Sequence, residues 1–445
     1  MNLPVDFTNR MKNILGNEYE AFIASFDMPN VKAFHINTKR ISKDQISKLI
    51  DNTLSSNLND ISSISQVKDY NSYIYEGKIG RCPASHAGLF YSQDPSAMLP
   101  VVDIPFEVTG NEKILDLCAA PGGKTSQLSM LGKVLSNEVV PSRNKILISN
   151  IERMGYLSNL VTKAMPDELA AYYPSYFDII LVDAPCSGEG MFRKYPESVD
   201  EWSIDNVKLC SDRQKDILSS AVTMLKPGGH LIYSTCTYAP EEDEDMVEFI
   251  SSLGLSKLKI QDSYFVKCYP HIQQGEGQFY AYFEKPASED TASFDTEYNP
   301  SQDKSLKKPS NKTLDIIRKT LKDSVDITNL NIYESAGNLI TIPDDYIKLP
   351  PHGITKAGII LGNIEKDRFL PHHQFFHCLP HLFKIQVNFD EETEELYKYL
   401  HGEEIFVDGT PTGFGVITYL GAAIGGFKSV NGRLKNYYPK GLRNQ

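Results

Sequence analysis

The stretch FDIILVDAPCSGEG (residues 177–190) decides the fold class, because a largely apolar run leads directly into a turn that carries Cys186. A second stretch, HLIYSTCTY (residues 230–238), repeats this arrangement with Cys236. Short apolar runs of this kind are typical of strands buried on both faces of a parallel sheet. The carboxyl ends of such strands face one ligand crevice. We therefore predict that the two thiols, although distant along the chain, share one cleft.

A third stretch, LDLCAAPGGKT (residues 115–125), runs from a predicted strand into a glycine-rich turn. Gly122 and Gly123 let the backbone approach a ligand and direct helix amides toward it. Glu138, at the end of the next predicted strand, is suitably placed to accept hydrogen bonds from a ribose diol. The pattern indicates a nucleoside cofactor, either a dinucleotide or S-adenosylmethionine. The missing G-x-G-x-x-G argues against the dinucleotide, and Cys118 replaces the leading glycine of a Walker loop.

Strands alternate with helices from Gln93 to Lys285, which predicts βαβ units around a parallel sheet, an α/β Rossmann-like core. Near its end, residues 278–283 are predicted as an edge strand or hairpin. The remaining chain predicts further modules. We expect an N-terminal α+β unit over residues 1–92, the core over 93–285, a polar linker over 286–312, an intermediate α+β region over 313–385 and a β-rich module over 386–445.

Composition narrows the class of protein. The chain has 445 residues, seven cysteines and no C-x-x-C pair, which argues against a disulfide framework and for a reducing cytoplasm. No secretory signal or membrane-spanning run is recognisable. The net charge of −12 excludes a uniformly positive surface but not a local RNA-binding patch. Five basic residues near the end fit either such a patch or a solvated tail: Lys428, Arg433, Lys435, Lys440 and Arg443.

The paired cysteines suit one particular chemistry. A thiolate that adds to carbon 6 of a pyrimidine turns carbon 5 into a nucleophile for a sulfonium methyl group. The ring needs activation by an acidic group, and Asp183 stands three residues before Cys186. The alternative is that these cysteines are buried small hydrophobes. That alternative holds for Cys210 and Cys378, and stays open for Cys82 and Cys268.

At this point the motifs resemble those of the Nop2/Sun (Fmu-like) RNA cytosine-5 methyltransferases. The similarity rests on residues 116–125, 183–188 and 234–237, in that order along the chain. It extends to the bacterial small-subunit ribosomal RNA methyltransferase F type. The stretches that carry this extension are GLFYSQDPSAM (88–98), GEGMFRK (188–194), PH (270–271), GEG (275–277) and LKNYYPKGLR (434–443).

The resemblance implies an N-terminal RNA-binding unit, a Rossmann-like methyltransferase core and a C-terminal PUA-like RNA-binding module. It implies that Cys236 is the nucleophile and that Cys186 assists release of the methylated product, a distinction that the residues alone do not make. It also implies that the donor, S-adenosylmethionine, and the base are held by one set of residues: Cys118, Ala119, Ala120, Pro121, Gly122, Gly123, Lys124, Glu138 and Asp183. Among these, it implies that Asp183 and Lys124 belong to the catalytic site, with Lys124 reaching the target nucleotide.

Two positions depart from the family pattern. An acid expected near Ala164, beside the adenine, is absent, and Asp167 and Glu168 come slightly late. An arginine expected shortly before Pro270 is also missing, with Lys267 in its neighbourhood. These departures keep a second class open, a non-catalytic RNA-binding assembly factor that retains the fold.

The expected substrate is small-subunit (16S) ribosomal RNA, either as naked RNA or in the small ribosomal subunit, with transfer RNA as the alternative and the protein acting as a monomer. A cytosine in a loop or junction is favoured, because a base in a duplex must first be unstacked. The histidines at 372, 373, 377 and 381 invite a metal interpretation. We expect no metal, because Pro371-His372-His373 resembles a family segment without a metal role and Pro380 interrupts helical spacing.

Overall fold

The computed structural model describes residues 1–54, 61–66, 71–287, 306–343 and 346–444. Most of the predicted linker, residues 288–305, therefore lies outside the described residues. In the described part of the chain, no helix is both long and apolar enough to cross a membrane.

The N-terminal unit is a four-stranded antiparallel sheet in the order β2-β3-β1-β4 with four short helices. A π-helical turn, Leu49–Leu54, extends its third helix. Its elements are α1 (Val5–Leu15), α2 (Tyr19–Ser25), β1 (Lys32–Ile36), α3 (Lys43–Lys48), β2 (Ile61–Gln66), β3 (Ser72–Gly77), α4 (Pro83–His86) and β4 (Phe90–Gln93).

The central unit is built on a nine-stranded sheet. Its elements are α5 (Pro95–Val102), β5 (Lys113–Asp116), α6 (Gly123–Leu131), β6 (Lys133–Asn137), α7 (Pro141–Met154), β7 (Leu160–Thr162), α8 (Pro166–Tyr172), β8 (Phe177–Asp183), α9 (Ser198–Glu201), α10 (Ile204–Met224), β9 (Leu225–Thr235), α11 (Glu244–Ser252), β10 (Ser256–Leu258), β11 (Phe265–Cys268) and β12 (Gln278–Glu284).

Strands β7, β6, β5, β8 and β9 are parallel neighbours in that order, which confirms the predicted Rossmann-like sheet. Successive residues Ile114 and Leu115 of β5 belong to different buried clusters, one on each side of the sheet. Burial on both faces explains why these strands are apolar throughout rather than alternating.

Residues 278–283 form a hairpin with the preceding strand β11, as one of the two predicted alternatives had it, but the alternative of an edge strand was wrong. Strand β12 pairs with β9 on one side and with β10 and β11 on the other. Its side chains from Gln278 to Phe283 are buried. An uninterrupted apolar and aromatic run fits this interior position better than an edge.

Two element boundaries shape the surroundings of the thiols. Helix α10 ends at Met224, and β9 begins at Leu225 and passes through Pro227-Gly228-Gly229, where Gly228 has a left-handed φ of +75°. Helix α11 begins at Glu244, so Glu242 precedes it in a turn. The acidic run 241–245 resembled a helix start, because acidic residues favour the first turn of a helix.

The chain beyond the linker forms two further sheets, in the orders β13-β14-β16-β17 and β18-β20-β21-β22-β19. The elements are α12 (Asn311–Arg318), β13 (Ile332–Ser335), β14 (Asn338–Thr341), β15 (Ile354–Lys356), β16 (Ile359–Glu365), β17 (Arg368–Pro371), α13 (His373–Cys378), β18 (Ile385–Phe389), α14 (Glu394–His401), β19 (Ile405–Phe406), β20 (Gly413–Tyr419), β21 (Ala422–Val430) and β22 (Arg433–Asn436).

The modules are joined through shared structure. Strand β15 pairs with β7 and so adds an antiparallel strand to the central sheet. One buried cluster combines N-terminal side chains such as Phe34 and Phe90 with C-terminal ones such as Tyr399 and Ile417. The N-terminal and C-terminal modules therefore fold against each other as well as against the core.

Candidate active site

The two thiols predicted to share a cleft are in contact. Strands β8 and β9 run parallel with Asp183 opposite Ser234, so the loops that follow them start side by side. The Sγ atoms of Cys186 and Cys236 are 3.2 Å apart, within hydrogen-bonding distance for sulfur. The hydrogen bond with Cys236, together with burial, raises the pKa of the Cys186 thiol. The raised pKa favours the neutral form of the Cys186 thiol, and either sulfur can be the donor in this contact.

The backbone around the thiols is fixed by close contacts between the two loops. The Gly190 amide donates to the Cys236 carbonyl at 2.9 Å, and a Cβ at Gly190 would lie 2.9 Å from that oxygen. Only glycine permits this approach. The hydroxyl groups of Ser187 and Thr237, one after each cysteine, are 2.8 Å apart.

Glu242 is a fully buried carboxyl group that the sequence analysis did not single out. Its Oε2 accepts from the Ser187 amide at 3.0 Å and from Gln214 Nε2 at 2.8 Å, which anchors the loop directly after Cys186. Burial raises the pKa of Glu242 to about 7, against the opposing hydrogen bonds from Ser187 and Gln214. A sequence signal was weak here, because Glu242 lies within an acidic run typical of a solvated helix start.

This carboxyl group predicts a pH dependence of stability. Between pH 4.5 and about 7 the unfolded chain loses the Glu242 proton while the folded chain keeps it, so the contribution to stability falls as pH rises. Glu242→Gln keeps the accepting oxygen and removes the titration. We expect the variant to gain stability relative to wild type by on the order of 3 kcal/mol across that range. Thermal unfolding midpoints of both proteins from pH 5 to pH 8 check this; parallel curves would contradict it.

Asp183 and Lys124 form an ion pair beside the thiols. Lys124 Nζ lies 2.9 Å from Asp183 Oδ2, and the Ser234 hydroxyl donates to Asp183 Oδ1 at 2.6 Å. Lys124 is buried while Asp183 is a third exposed. The Asp183 carboxylate thus lies partly exposed at the surface of the cleft, and the buried Lys124 ammonium group balances its negative charge.

The glycine-rich turn follows β5. Gly122 has φ +108°, a left-handed conformation that favours glycine, and it precedes the first residue of α6. Thr125 donates to Asp116 Oδ2 at 2.6 Å, whereas Asp116 Oδ1 is buried without a hydrogen-bond partner. Burial raises the pKa of Asp116 to about 7. Burial also raises the pKa of the Cys118 thiol, with the charge of Asp116 adding to the effect.

A cavity of about 960 Å³ opens between this turn and the two thiols; we call it the thiol cavity. Of the predicted site residues, six line it: Cys118, Ala120, Glu138, Asp183, Cys186 and Cys236. The other five are not among the lining residues. Four belong to the glycine-rich turn, namely Ala119, Pro121, Gly122 and Gly123, and the fifth, Lys124, forms the ion pair with Asp183.

The cavity also explains the first departure from the family pattern. Asp167, which follows the expected acidic position, lines the cavity together with Met165 and Pro166 at the start of α8. At the other side, Glu138 accepts from the Val140 amide at 2.9 Å and lies 3.5 Å from Arg143. The carboxylates of Glu138 and Asp167 therefore both line the cavity.

Lys267 occupies the region where an arginine was expected. Its Nζ lies 3.0 Å from Asp243 Oδ2, and the Thr235 hydroxyl donates to Asp243 Oδ1 at 2.6 Å. Thr235 directly precedes Cys236. The buried lysine therefore anchors the end of β9, and the nucleophile candidate with it.

The histidine cluster of α13 has partners other than a metal. His377 Nε2 lies 2.7 Å from the Arg153 carbonyl, and His372 Nδ1 accepts from the Gln374 amide at 3.2 Å. Within the described ranges, no group of three or more His, Cys, Asp or Glu side chains could hold a metal ion.

A parallel sheet in this strand order, with an antiparallel β12 and a glycine-rich turn at the carboxyl end of β5, defines a Rossmann-like S-adenosylmethionine-dependent methyltransferase. A solved methyltransferase homolog from Pyrococcus horikoshii has 27% identity and a TM-score of 0.52 over 63% of this chain and 94% of that one. NSun6 from P. horikoshii, solved with SFG, an S-adenosylmethionine analogue, has the same fold at 18% identity and a TM-score of 0.56 over 64% and 99%.

Sequence comparisons give the family. Residues 104–284 match the family described as 16S rRNA methyltransferase RsmB/F, residues 386–444 match the RsmF PUA domain, and residues 3–95 match the RsmF N-terminal domain. Ribosomal RNA small subunit methyltransferase F of Vibrio vulnificus is 30% identical over 484 aligned positions, which cover 99% of this chain and 97% of that protein. The chain belongs to the family of small-subunit ribosomal RNA methyltransferase F, which confirms the predicted resemblance.

Proposed function

We propose that this protein forms 5-methylcytosine in small-subunit ribosomal RNA through a covalent bond between Cys236 and the cytosine. The observation that carries the proposal is the 3.2 Å contact between the Cys186 and Cys236 sulfur atoms at the wall of a cavity that also contains Asp183. A single reactive thiol would suffice for attack alone. Two thiols in contact supply both an attacking group and a proton-carrying neighbour.

The thiol cavity has the right chemistry for S-adenosylmethionine, which would supply an electrophilic methyl group on its sulfonium sulfur. Glu138 fits the ribose diol, and Asp167 with the apolar side chains of Pro166 and Ile217 fits the adenine end. The turn 118–123 provides backbone for the rest of the donor, and Asp116 Oδ1, buried and without a partner, offers an acceptor beneath that turn.

Removing the Glu138 carboxylate is expected to weaken donor binding. A charged acceptor for two ribose hydroxyl groups contributes enough that Glu138→Ala should raise the Kd of S-adenosylmethionine about tenfold to hundredfold. Isothermal titration calorimetry measures this directly. Asp212→Ala is the matched control, because Asp212 is an exposed acid on α10 away from the cavity lining. Equal affinities of the two variants for S-adenosylmethionine would show that Glu138 does not contribute to donor binding.

Asp183 is the group proposed to activate the base. In its protonated or hydrogen-bonded form a carboxyl group can contact the ring nitrogen and exocyclic amine of cytosine, which draws electrons from carbon 6. The Lys124 ammonium and the Ser234 hydroxyl hold the carboxylate in one orientation. Lys124 therefore acts as a positioning residue in this proposal.

The covalent steps balance as follows. The Cys236 sulfur forms a bond to carbon 6, which moves the electrons of the 5,6 double bond toward carbon 5. Carbon 5 then attacks the methyl carbon of the donor, the methyl–sulfonium bond breaks, and S-adenosylhomocysteine leaves with that electron pair. A base then removes the carbon 5 proton, the double bond re-forms, and the Cys236–carbon 6 bond breaks to regenerate the thiolate. Cys186, in contact with Cys236, is the proposed participant in this last step, as the family resemblance implies.

The substrate is tested by product analysis. Nucleoside mass spectrometry and bisulfite sequencing of total RNA, with and without the gene, should show a 5-methylcytidine lost from 16S ribosomal RNA. Loss of 5-methylcytidine from transfer RNA alone would show that transfer RNA, and not ribosomal RNA, is the substrate.

Undetectable S-adenosylmethionine binding by calorimetry would favour a non-catalytic assembly factor that keeps the fold.

We propose that the N-terminal and C-terminal modules bind RNA. We propose the five-segment division given above, with residues 1–92 and 386–445 as RNA-binding units flanking the catalytic core. Lys428, Lys435 and Lys440 are exposed on the C-terminal module, where Lys428 and Lys435 are paired across β21 and β22. The protein would act as a monomer in the cytoplasm on a cytosine exposed in a loop or junction.

A further inference from the structure

A second cavity lies where the N-terminal unit, helix α7, helix α13 and the C-terminal segment meet; we call it the junction cavity. It has a volume of about 470 Å³, enough for one nucleotide but not for folded RNA. None of the residues that line it belongs to the thiol cavity. Its walls combine aromatic rings, imidazoles and a guanidinium group: Phe90, Tyr91, Tyr438, His86, His373, His377 and Arg153.

The charge of the junction cavity favours an anion. Arg153 donates at long distances, 3.3 Å to the Phe90 carbonyl, 3.4 Å to the Ser85 carbonyl, 3.5 Å to the Asn150 side-chain oxygen and 3.7 Å to the Met154 sulfur. Nearby, Arg40 donates to the carbonyl groups of His377 and Ala423. Neither guanidinium has a carboxylate within 4.0 Å in the described residues, where the arginine ion pairs are those of Arg10, Arg143, Arg193, Arg318 and Arg433.

The one carboxyl group among the described lining residues does little to balance this charge. Glu152 accepts a hydrogen bond from Gln374, and burial raises its pKa. Conversely, burial lowers the pKa of His86, and the Arg153 charge lowers it further. Burial is the larger cause of this shift, and the smaller contribution of Arg153 is the part that reflects a positive charge beside His86.

The walls also offer groups that recognise a base. His373 Nδ1 is buried and has no hydrogen-bond partner. The Arg153 guanidinium lies 5.5 Å from the centre of the Tyr91 ring, and the Tyr438 ring packs edge-on against His373 at 5.4 Å. Guanidinium groups bind phosphate, and aromatic or imidazole rings stack on unpaired bases.

We propose that the junction cavity binds one nucleotide, with its phosphate on Arg153 and its base against Tyr438 and His373. This goes beyond the proposed methyl transfer, because binding here requires neither thiol. The nucleotide comes either from the RNA chain or from the free pool, and the two sources share this chemistry.

Gly80 provides a clean test. It lines the cavity, and a Cβ placed there meets no atom within 4 Å. Gly80→Glu introduces a carboxylate into open space, while Gly80→Gln introduces the same bulk without charge. Lys78→Gln lowers the net charge by the same amount as Gly80→Glu, on a residue outside the cavity lining.

The binding of uridine 5′-monophosphate and of a short single-stranded RNA is measured on the full-length protein saturated with S-adenosylhomocysteine, so that the proposed donor part of the thiol cavity is occupied in every sample. We expect Gly80→Glu to weaken binding of at least one probe by about tenfold or more, with Gly80→Gln and Lys78→Gln within about twofold of wild type. Weaker binding of the RNA probe alone would show that the bound nucleotide belongs to the RNA chain. Weaker binding of both probes would show that free nucleotides also bind in the junction cavity.

Equal binding by Gly80→Glu and Gly80→Gln for both probes, or absence of binding to wild type, would overturn the proposal. The junction cavity would then be a solvent-filled gap between modules. Because the readout is binding and not methyl transfer, this failure leaves the assignment of the thiols untouched. Thermal unfolding of the Gly80 variants confirms that each is folded when assayed.

Discussion

Replacing Cys236 with serine is expected to reduce methyl transfer by a factor on the order of 10³ or more. A serine hydroxyl is far less acidic than a thiol, so no anion is present to add to carbon 6 of the cytosine. Without that addition carbon 5 stays a poor nucleophile. Transfer of a labelled methyl group from S-adenosylmethionine to 16S ribosomal RNA synthesised in vitro, or to assembled small subunits, measures the loss.

Cys210→Ser is the matched control for this prediction. Cys210 lies on α10, is buried outside the lining of the thiol cavity, and contacts the Asn206 side-chain oxygen, a contact that serine can keep. Its activity should stay close to that of wild type. Retention of more than about a tenth of the activity by Cys236→Ser would show that its thiol is not the attacking group.

Replacing Cys186 with serine should have a different outcome, namely the accumulation of a covalent protein–RNA complex. In that variant Cys236 can still attack and the methyl group can still be transferred. The neighbouring thiol, 3.2 Å away, is missing when the carbon–sulfur bond must break. The complex should appear on a denaturing gel as a slowly migrating band that disappears after nuclease digestion.

The paired design distinguishes the two roles. A complex from Cys186→Ser that vanishes in the double variant with Cys236→Ser supports attack by Cys236. A complex from Cys236→Ser but not from Cys186→Ser would reverse the assignment, since the thiol of the Pro-Cys turn would then be the nucleophile. Pro185 directly precedes Cys186 in this chain, so attack by the Cys186 thiol is a chemically reasonable alternative.

The central fold was predictable because buried parallel strands have a simple pattern. The apolar runs before Asp183 and Ser234 identified β8 and β9, and the rule that parallel strands end at one edge placed both thiols together. Strand β15 was not predictable as part of this sheet. Three residues, Ile354–Lys356, are too few to show a periodicity, and they are held to β7 by backbone pairing and by the Thr355 hydroxyl, which donates to the Val161 carbonyl at 3.2 Å.

The residues of the candidate site that belong to a contiguous sequence motif could be predicted. The residues that act through packing against distant parts of the chain could not. The turn around Gly122 and the two cysteines are marked by local sequence. Glu242 and Lys267 are not, because each acts through partners that are distant in the chain or in the fold: Glu242 through Ser187 and Gln214, and Lys267 through Asp243. The junction cavity was missed for the same reason, as its lining comes from four separate segments.

The most direct test of the account uses wild-type protein and RNA in which the target cytidine carries fluorine at carbon 5. Addition and methyl transfer can proceed, but fluorine cannot leave as a proton does, so the enzyme stays bonded to the base. After digestion, mass spectrometry of the trapped complex should find the nucleotide on the peptide that contains Cys236. A nucleotide on the Cys186 peptide, or no covalent complex in the presence of S-adenosylmethionine, would contradict the mechanism.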